Sequence, residues 1–313
     1  MPSNFWTKEK KPIMALAPMA GYSNSAFRQL CHEYGATVLY SEMASVAALY
    51  YAKDKKNNPT IDLLKFNNKK ERPYVVQLFG SEPKHFASAA KIITELVKPD
   101  GLDINFGCPV AKVIKQGAGT KLFSDINRSR EVIKAVLANT NLPLSIKIRT
   151  EAFDVNFKDF LKNISDLNIA ALMIHCRSLF GGFSATPNWK IVKEARKYFS
   201  GLILVNGGIV DRASLKDSLV ESGADGVGIA RGACGNPWIF SGNKPSDYKE
   251  IFKVALKHAK LVSADKLVEM RAHLPFYVAG LKDAASLRSK LVKIESIADI
   301  KDIFNDYEKH AKS

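Results

Sequence analysis

The stretch that decides the fold is Ile13-Met14-Ala15-Leu16-Ala17-Pro18-Met19-Ala20-Gly21. A short apolar run of this kind, with no polar residue alternating in it, suits a strand buried on both faces, as in a parallel sheet. It leads into proline and methionine, whereas a doubly wound dinucleotide fold opens a glycine-rich turn after its first strand. Seven similar runs follow: Thr37 to Met43, Tyr74 to Gly80, Gly101 to Gly107, Leu144 to Thr150, Ala171 to Arg177, Leu202 to Gly208, and Gly226 to Gly232. Each is bounded by turn residues and followed by a helix-length segment, the pattern of strands joined by helical crossovers. Eight such units predict an α/β fold, a closed (β/α)8 barrel of the TIM type.

After about residue 243 the strand rhythm stops, and apolar residues recur every three or four positions. This predicts a barrel domain over 1–243 and a small all-helical C-terminal domain over 244–313. Leu281, Ala284, Leu287, Leu291 and Ile294 form one apolar stripe in the tail, and Lys253, Lys257 and Lys260 share a face of an earlier helix.

The chain's 313 residues, 46% of them apolar, are enough to fill one barrel core and an appended bundle. A net charge of +15 favours a polyanionic partner such as nucleic acid. The tail, with fourteen basic and ten acidic residues, holds little of that excess, so charge does not say which part meets the polyanion. Cys31, Cys108, Cys176 and Cys234 are far apart and form no C-x-x-C pair, so neither a metal site nor a disulfide framework is expected. A reducing, cytoplasmic setting fits this usage. Met1 to Pro12 is charged, and no apolar stretch reaches membrane-spanning length, so no membrane association is expected.

In such a barrel the active site forms where the strands end. The ends of the eight runs carry Met19, Glu42, Gln77, Asn105 with Cys108, Lys147 with Arg149, His175 with Arg177, Asn206, and Arg231. Burying such groups unpaired costs roughly 1–3 kcal/mol each, so a polar ligand with several hydrogen-bonding edges would account for them together. Asn206-Gly207-Gly208 and Ala230-Arg231-Gly232 follow the seventh and eighth runs, where barrels commonly bind phosphate. A phosphate-bearing cofactor is implied. A lone cysteine is more often a small core residue than a catalyst. Cys108, however, precedes a proline on a loop with Lys112, Lys115 and Lys121. Spacing alone leaves open whether those lysines activate a thiolate or attract RNA phosphate.

At these residues the sequence resembles the tRNA-dihydrouridine synthase family along nearly its whole length. The pieces are Ala17 to Gly21, Gln-Leu-Phe-Gly from Gln77, Asp103-Ile-Asn-Phe-Gly-Cys-Pro-Val-Ala-Lys-Val to Val113, Ser-Ile-Lys-Ile-Arg from Ser145, Ile-His-Cys-Arg from Ile174, Val-Asn-Gly-Gly from Val205, and Gly-Asn-Pro-Trp-Ile-Phe from Gly235. The Asn-x-Gly-Cys-Pro loop followed by Lys-Val is the discriminating motif. Arg271 through Gly280 also looks like the family's helical domain, the expected RNA-binding part.

The resemblance implies bound FMN, NADPH as electron donor, and saturation of a uracil 5,6 double bond in tRNA, with ribosomal RNA the other candidate substrate. It assigns Ala17, Pro18 and Met19 to the flavin ring and Gln77 and Lys147 to its polar edge. Asn206, Gly207, Gly208, Ala230 and Arg231 would hold its phosphate, and His175 would join the cofactor contacts. Asn105, Lys112 and Arg177 would meet the substrate, and Cys108 would protonate carbon 5 of a flipped uracil. A monomer is expected. Two departures stand out: His175-Cys176-Arg177-Ser178-Leu179 replaces the family's His-Gly-Arg-Thr-Arg, and Ala230-Arg231 replaces Gly-Arg. Cys176 is read as structural. The rival readings are a barrel that reduces free pyrimidines and an RNA-binding protein without turnover.

Overall fold

A computed structural model describes residues 4–182 and 184–310, so the outer limits of the two expected domains, residues 1–3 and 311–313, lie outside the described residues. Eight parallel strands close into a barrel: β1 Ile13–Leu16, β2 Val38–Ser45, β3 Tyr74–Phe79, β4 Gly101–Asn105, β5 Leu144–Arg149, β6 Ala171–His175, β7 Leu202–Asn206 and β8 Gly226–Ile229. Their order around the barrel is their order in the chain, with β8 closing on β1. The expected (β/α)8 barrel is therefore the observed fold. Several strands are shorter than the apolar runs that announce them, because Met19, Thr150, Arg177, Gly208 and Gly232 lie past the last ladder pairs. β2 instead runs on to Ser45. A small antiparallel hairpin, Glu151–Ala152 with Val155–Asn156, follows β5.

The crossover helices start at local signals. Proline opens the helix Pro83–Leu96, where its missing N–H costs nothing. Asp125 and Asn156 cap Ile126–Leu137 and Phe157–Ile164 through their side chains. In Phe157–Ile164, Phe157, Phe160, Leu161 and Ile164 are buried on one face, which packs into the large core between the helices and the outer face of the barrel.

The inside of the barrel is layered. Trp6, in a short turn ahead of β1, belongs to an apolar cluster with Ile13, Ala15, Val38, Val75, Ala171, Met173 and Leu204. Polarity rises toward the carboxyl ends, first with Asp103 and Ser145, then with Gln77, Asn105, His175 and Asn206, all at most 8% exposed. Strand register places these residues side by side: Gln77 pairs with Asp103, Asn105 with Lys147, and Arg149 with His175.

Beyond the barrel, the helices Tyr248–Leu261, Met270–Tyr277, Ala284–Leu291 and Ile297–His310 share a second apolar cluster that also contains Leu30 of the first crossover helix, Ser25–Glu33. Leu287, Leu291 and Ile294 of the predicted stripe are buried in it, although the helix itself ends at Leu291. Lys253, Lys257 and Lys260 form an exposed face, with Lys257 paired to Glu33 of the barrel. Phe27 meets His258 and His273 at ring distances of 5.5 and 4.9 Å, and Tyr22 meets His273 edge-on at 5.4 Å.

Both ring nitrogens of His273 lack hydrogen-bond partners, and burial holds its pKa down at about 4. The unfolded chain therefore binds a proton that the folded chain refuses between pH 6.5 and about 4, and stability rises with pH across that window. His273→Phe should make thermal unfolding less sensitive to acid between pH 6.5 and 4, by up to about 3 kcal/mol at the acid end. An unaltered pH dependence would show that the ring does not carry this linkage.

Candidate active site

The strand ends surround a cavity of about 290 Å3. Pro18, Met19 and Ala20 form one wall; Gln77, Asn105, Lys147, Arg149, His175 and Asn206 form its polar side; Gly107 and Cys108 stand at its margin, with Ala230 and Arg231 at one end. A second cavity of about 240 Å3 adjoins it, sharing His175, Asn206, Ala230 and Arg231 and adding Arg177, Gly207, Gly208 and Gly232. Together they make one slot, with Cys108 in the lining of the first cavity and glycine backbone and arginine lining the second. Backbone must line the second: at Gly208, which has φ +76°, a Cβ would lie 2.5 Å from Pro187 Cγ.

Of the site residues expected from sequence, only Ala17 and Lys112 lie outside the slot. Ala17 is fully buried in the barrel interior, its carbonyl 3.3 Å from Ser23 Oγ, because the chain turns toward the cavity only from Pro18. Lys112 points to solvent from the turn Ala111–Ile114. Among the strand ends, Glu42 accepts the Gly21 N–H and lines a different cleft, against Lys266 and Glu269 of the tail. Residues not anticipated are Tyr22 and Met43, which line the main cavity, and Asp103, which lies beneath it; Arg149, named at its strand end but given no role, also lines the cavity. Arg149 was visible as a strand-end cation. Tyr22 owes its place to the tail, since its ring packs on Phe276 and His273.

Positive charge dominates the electrostatics. Lys147 is pushed down to about 8, mainly by burial and then by Arg149. His175 is driven down to about 2 by burial and by Lys147, Arg149, Arg177 and Arg231, so it is a neutral imidazole at any working pH. These four cations, of which Arg149 is buried and Lys147 and Arg177 half-buried, converge on His175 and create a field that an anionic ligand would relieve. Asp103 is the buried counterweight, raised to about 6 by burial although Gln77 and Ser145 donate to it.

Cys108 is held by its backbone. Asn105 Oδ1 accepts the N–H of Gly107 at 3.0 Å and of Cys108 at 2.9 Å, while the Cys108 carbonyl accepts from Thr120 N at 3.2 Å and Thr120 Oγ1 at 3.1 Å. Gly119, at φ +61°, lets the loop close here; a Cβ would sit 2.7 Å from the Cys108 carbonyl oxygen. Arg149 Nε donates to the Gly107 carbonyl at 2.8 Å. Burial raises the Cys108 thiol above its ordinary pKa, against smaller lowering effects of the Val110 N–H, Lys147 and Arg149, so it is protonated at neutral pH. Cys176 is buried, with its Sγ 3.5 Å from the Ile174 carbonyl and its pKa pushed up to about 12, which suits a structural residue.

The fold and site define a barrel with a cationic slot at the carboxyl ends of its strands and a protonated thiol at the margin. The same barrel fold occurs in the crystal structure of TcOYE with pHBA, at a TM-score of 0.56 and 13% identity over 80% of this chain and 95% of that one. A sequence profile described as Dihydrouridine synthase (Dus) matches residues 15–312. A protein named "Probable tRNA-dihydrouridine synthase" from Aquifex aeolicus (strain VF5) is 32% identical over 91% of this chain and 87% of its own length. One of the same name from Treponema pallidum (strain Nichols) is 29% identical over 93% and 91%. The chain belongs to the dihydrouridine synthase family.

With the other three thiols buried, iodoacetamide should label Cys108 first, more slowly at pH 7 than it labels a free cysteine, and faster as pH rises. Peptide mass spectrometry over time checks this. Rapid labelling at pH 7 would mean that the neighbouring cations have made a thiolate.

Proposed function

We propose that this protein reduces uridine in tRNA to dihydrouridine, using bound FMN and NADPH, with Cys108 as the proton donor. The observation that carries the reading is the pairing of a cationic slot with a half-buried, protonated thiol in its lining. The residues fit FMN. Pro18 and Met19 offer an apolar wall to a flat ring, and Gln77 and Lys147 offer hydrogen-bond donors to its polar edge. Arg177, Arg231 and the backbone of Gly207 and Gly208 suit a phosphate.

When bound and reduced, the flavin supplies a hydride for carbon 6 of the uracil. The electron pair of the 5,6 double bond then becomes an enolate, and Cys108 Sγ gives its proton to carbon 5 and is reprotonated from solvent. Lys147, charged below about pH 8, stabilises negative charge in the slot. Asn105 orients the Cys108 backbone, and Arg177 and neutral His175 offer donors at the junction of the two cavities. The target uridine must leave its stack to reach this depth. Lys112, Lys115 and Lys121, all exposed around the Cys108 loop, suit backbone phosphates, and the helical segment 244–313 extends the RNA-binding surface. The protein acts as a monomer in this reading.

Purified protein should show flavin absorbance bands that NADPH bleaches, and it should place dihydrouridine in unmodified tRNA. Cys108→Ala should retain the flavin yet lose about 10²–10⁴-fold in rate, the usual contribution of a positioned acid. Lys147→Ala should weaken flavin retention. A colourless protein after FMN addition, or reduction of free uracil without need of RNA, would overturn the reading.

A further inference from the structure

Asp103 is an acid in the middle of a barrel core, 0% exposed, with no ion pair among the described residues. Its two oxygens are occupied: Oδ2 accepts from Gln77 Nε2 at 2.7 Å, and Oδ1 accepts from Ser145 Oγ at 2.7 Å, whose oxygen lies 3.3 Å from the Tyr40 hydroxyl. From Gln77 the chain of hydrogen bonds runs upward. Asn105 Nδ2 donates to Gln77 Oε1 at 3.0 Å, and Asn105 Oδ1 accepts the Gly107 and Cys108 N–H groups.

Both ends of this chain have fixed polarity. Backbone N–H groups can only donate, so Asn105 must turn its oxygen to the Cys108 loop and its nitrogen to Gln77. An ionised carboxylate can only accept, so Gln77 must turn its nitrogen to Asp103 and its oxygen to Asn105. Each amide could be turned over alone; joined between a fixed acceptor and fixed donors, neither can turn without stranding a buried polar group.

We propose that Asp103 is a positioning residue that sets the donor and acceptor faces of Gln77 and Asn105 and so seats the Cys108 loop at the margin of the cavity. This deepens the reading of Cys108 as a proton donor, but its test does not depend on turnover. In Asp103→Asn the same shape loses its fixed polarity. If the new amide presents its nitrogen to Gln77, the chain must invert or break, and the Cys108 N–H groups lose their acceptor. Adding Gln77→Glu restores a consistent direction. The amide introduced at position 103 then donates to one oxygen of the carboxylate introduced at position 77, whose other oxygen accepts from Asn105.

The experiment is alkylation of Cys108 by iodoacetamide, followed by peptide mass spectrometry on the full chain, with melting temperature measured in parallel. Loss of the neutral hydrogen bonds that Asn105 accepts from the Gly107 and Cys108 N–H groups corresponds to roughly a tenfold change in loop opening. The single variant D103N is expected to label roughly tenfold faster than wild type. The D103N/Q77E pair is expected to return to the wild-type rate. A D103N variant that fails to fold but is rescued by Q77E supports the same conclusion, because packing alone gives no reason for an acid at position 77 to help. A D103N variant that labels like wild type, or a pair no better than D103N in labelling and folding, would overturn it. The proposal of uridine reduction fails separately, through absence of dihydrouridine with the wild-type protein.

Discussion

Holding Lys147 in the mouth of the barrel beside Arg149, with Arg177 and Arg231 converging on the same His175, is the constraint on which the site depends. Cations gathered so closely repel, and they are held together because the strands that carry them are fixed by the closed ladder and the packed layers on either side. Burial first, and mutual repulsion after it, lower the pKa values of Lys147, His175, Arg149 and Arg177. An anionic ligand in the slot would remove the repulsion, so the barrel is preorganised for negative charge before any ligand arrives.

A protonated thiol belongs beside such a field only if it is kept from becoming a thiolate. Burial raises the Cys108 pKa more than Lys147 and Arg149 lower it, because the loop is drawn inward by Asn105, Arg149 and Thr120. The acid and the cations are thus two products of one arrangement, polar side chains at the ends of β3, β4 and β5, with Asp103 beneath them. The tail reaches the same cavity from outside, through the packing of Tyr22, which lines it, on Phe276 and His273.

Much of this is legible in the sequence. Eight short apolar runs in an even rhythm have few solutions other than a closed barrel, and the polar residues at their ends mark Gln77, Asn105, Lys147, His175 and Asn206. The limits are physical. Composition does not say where a strand leaves its ladder, so runs such as Ile13 to Met19 come out too long and Ala17 is expected at the cavity, when its side chain faces the packed interior. The hairpin after β5 has strands too short to show a period. Lys112 follows Cys108 by four residues, but the turn between them aims it at solvent. Asp103 lies in the most telling motif, yet nothing in the motif singles it out, because its importance comes from partners on β3 and β5 that are distant in sequence. Tyr22 likewise depends on the tail.

The central claim, that Cys108 delivers the proton in reduction of an RNA uracil, is tested most directly by mixing NADPH-reduced protein with unmodified tRNA in a stopped-flow spectrometer and following the return of oxidised flavin absorbance. The account predicts that tRNA, but not free uridine, drives rapid reoxidation in step with dihydrouridine formation, and that Cys108→Ala, fully loaded with flavin, is slower by about two orders of magnitude or more. Equal reoxidation by tRNA in the wild type and in Cys108→Ala would contradict it.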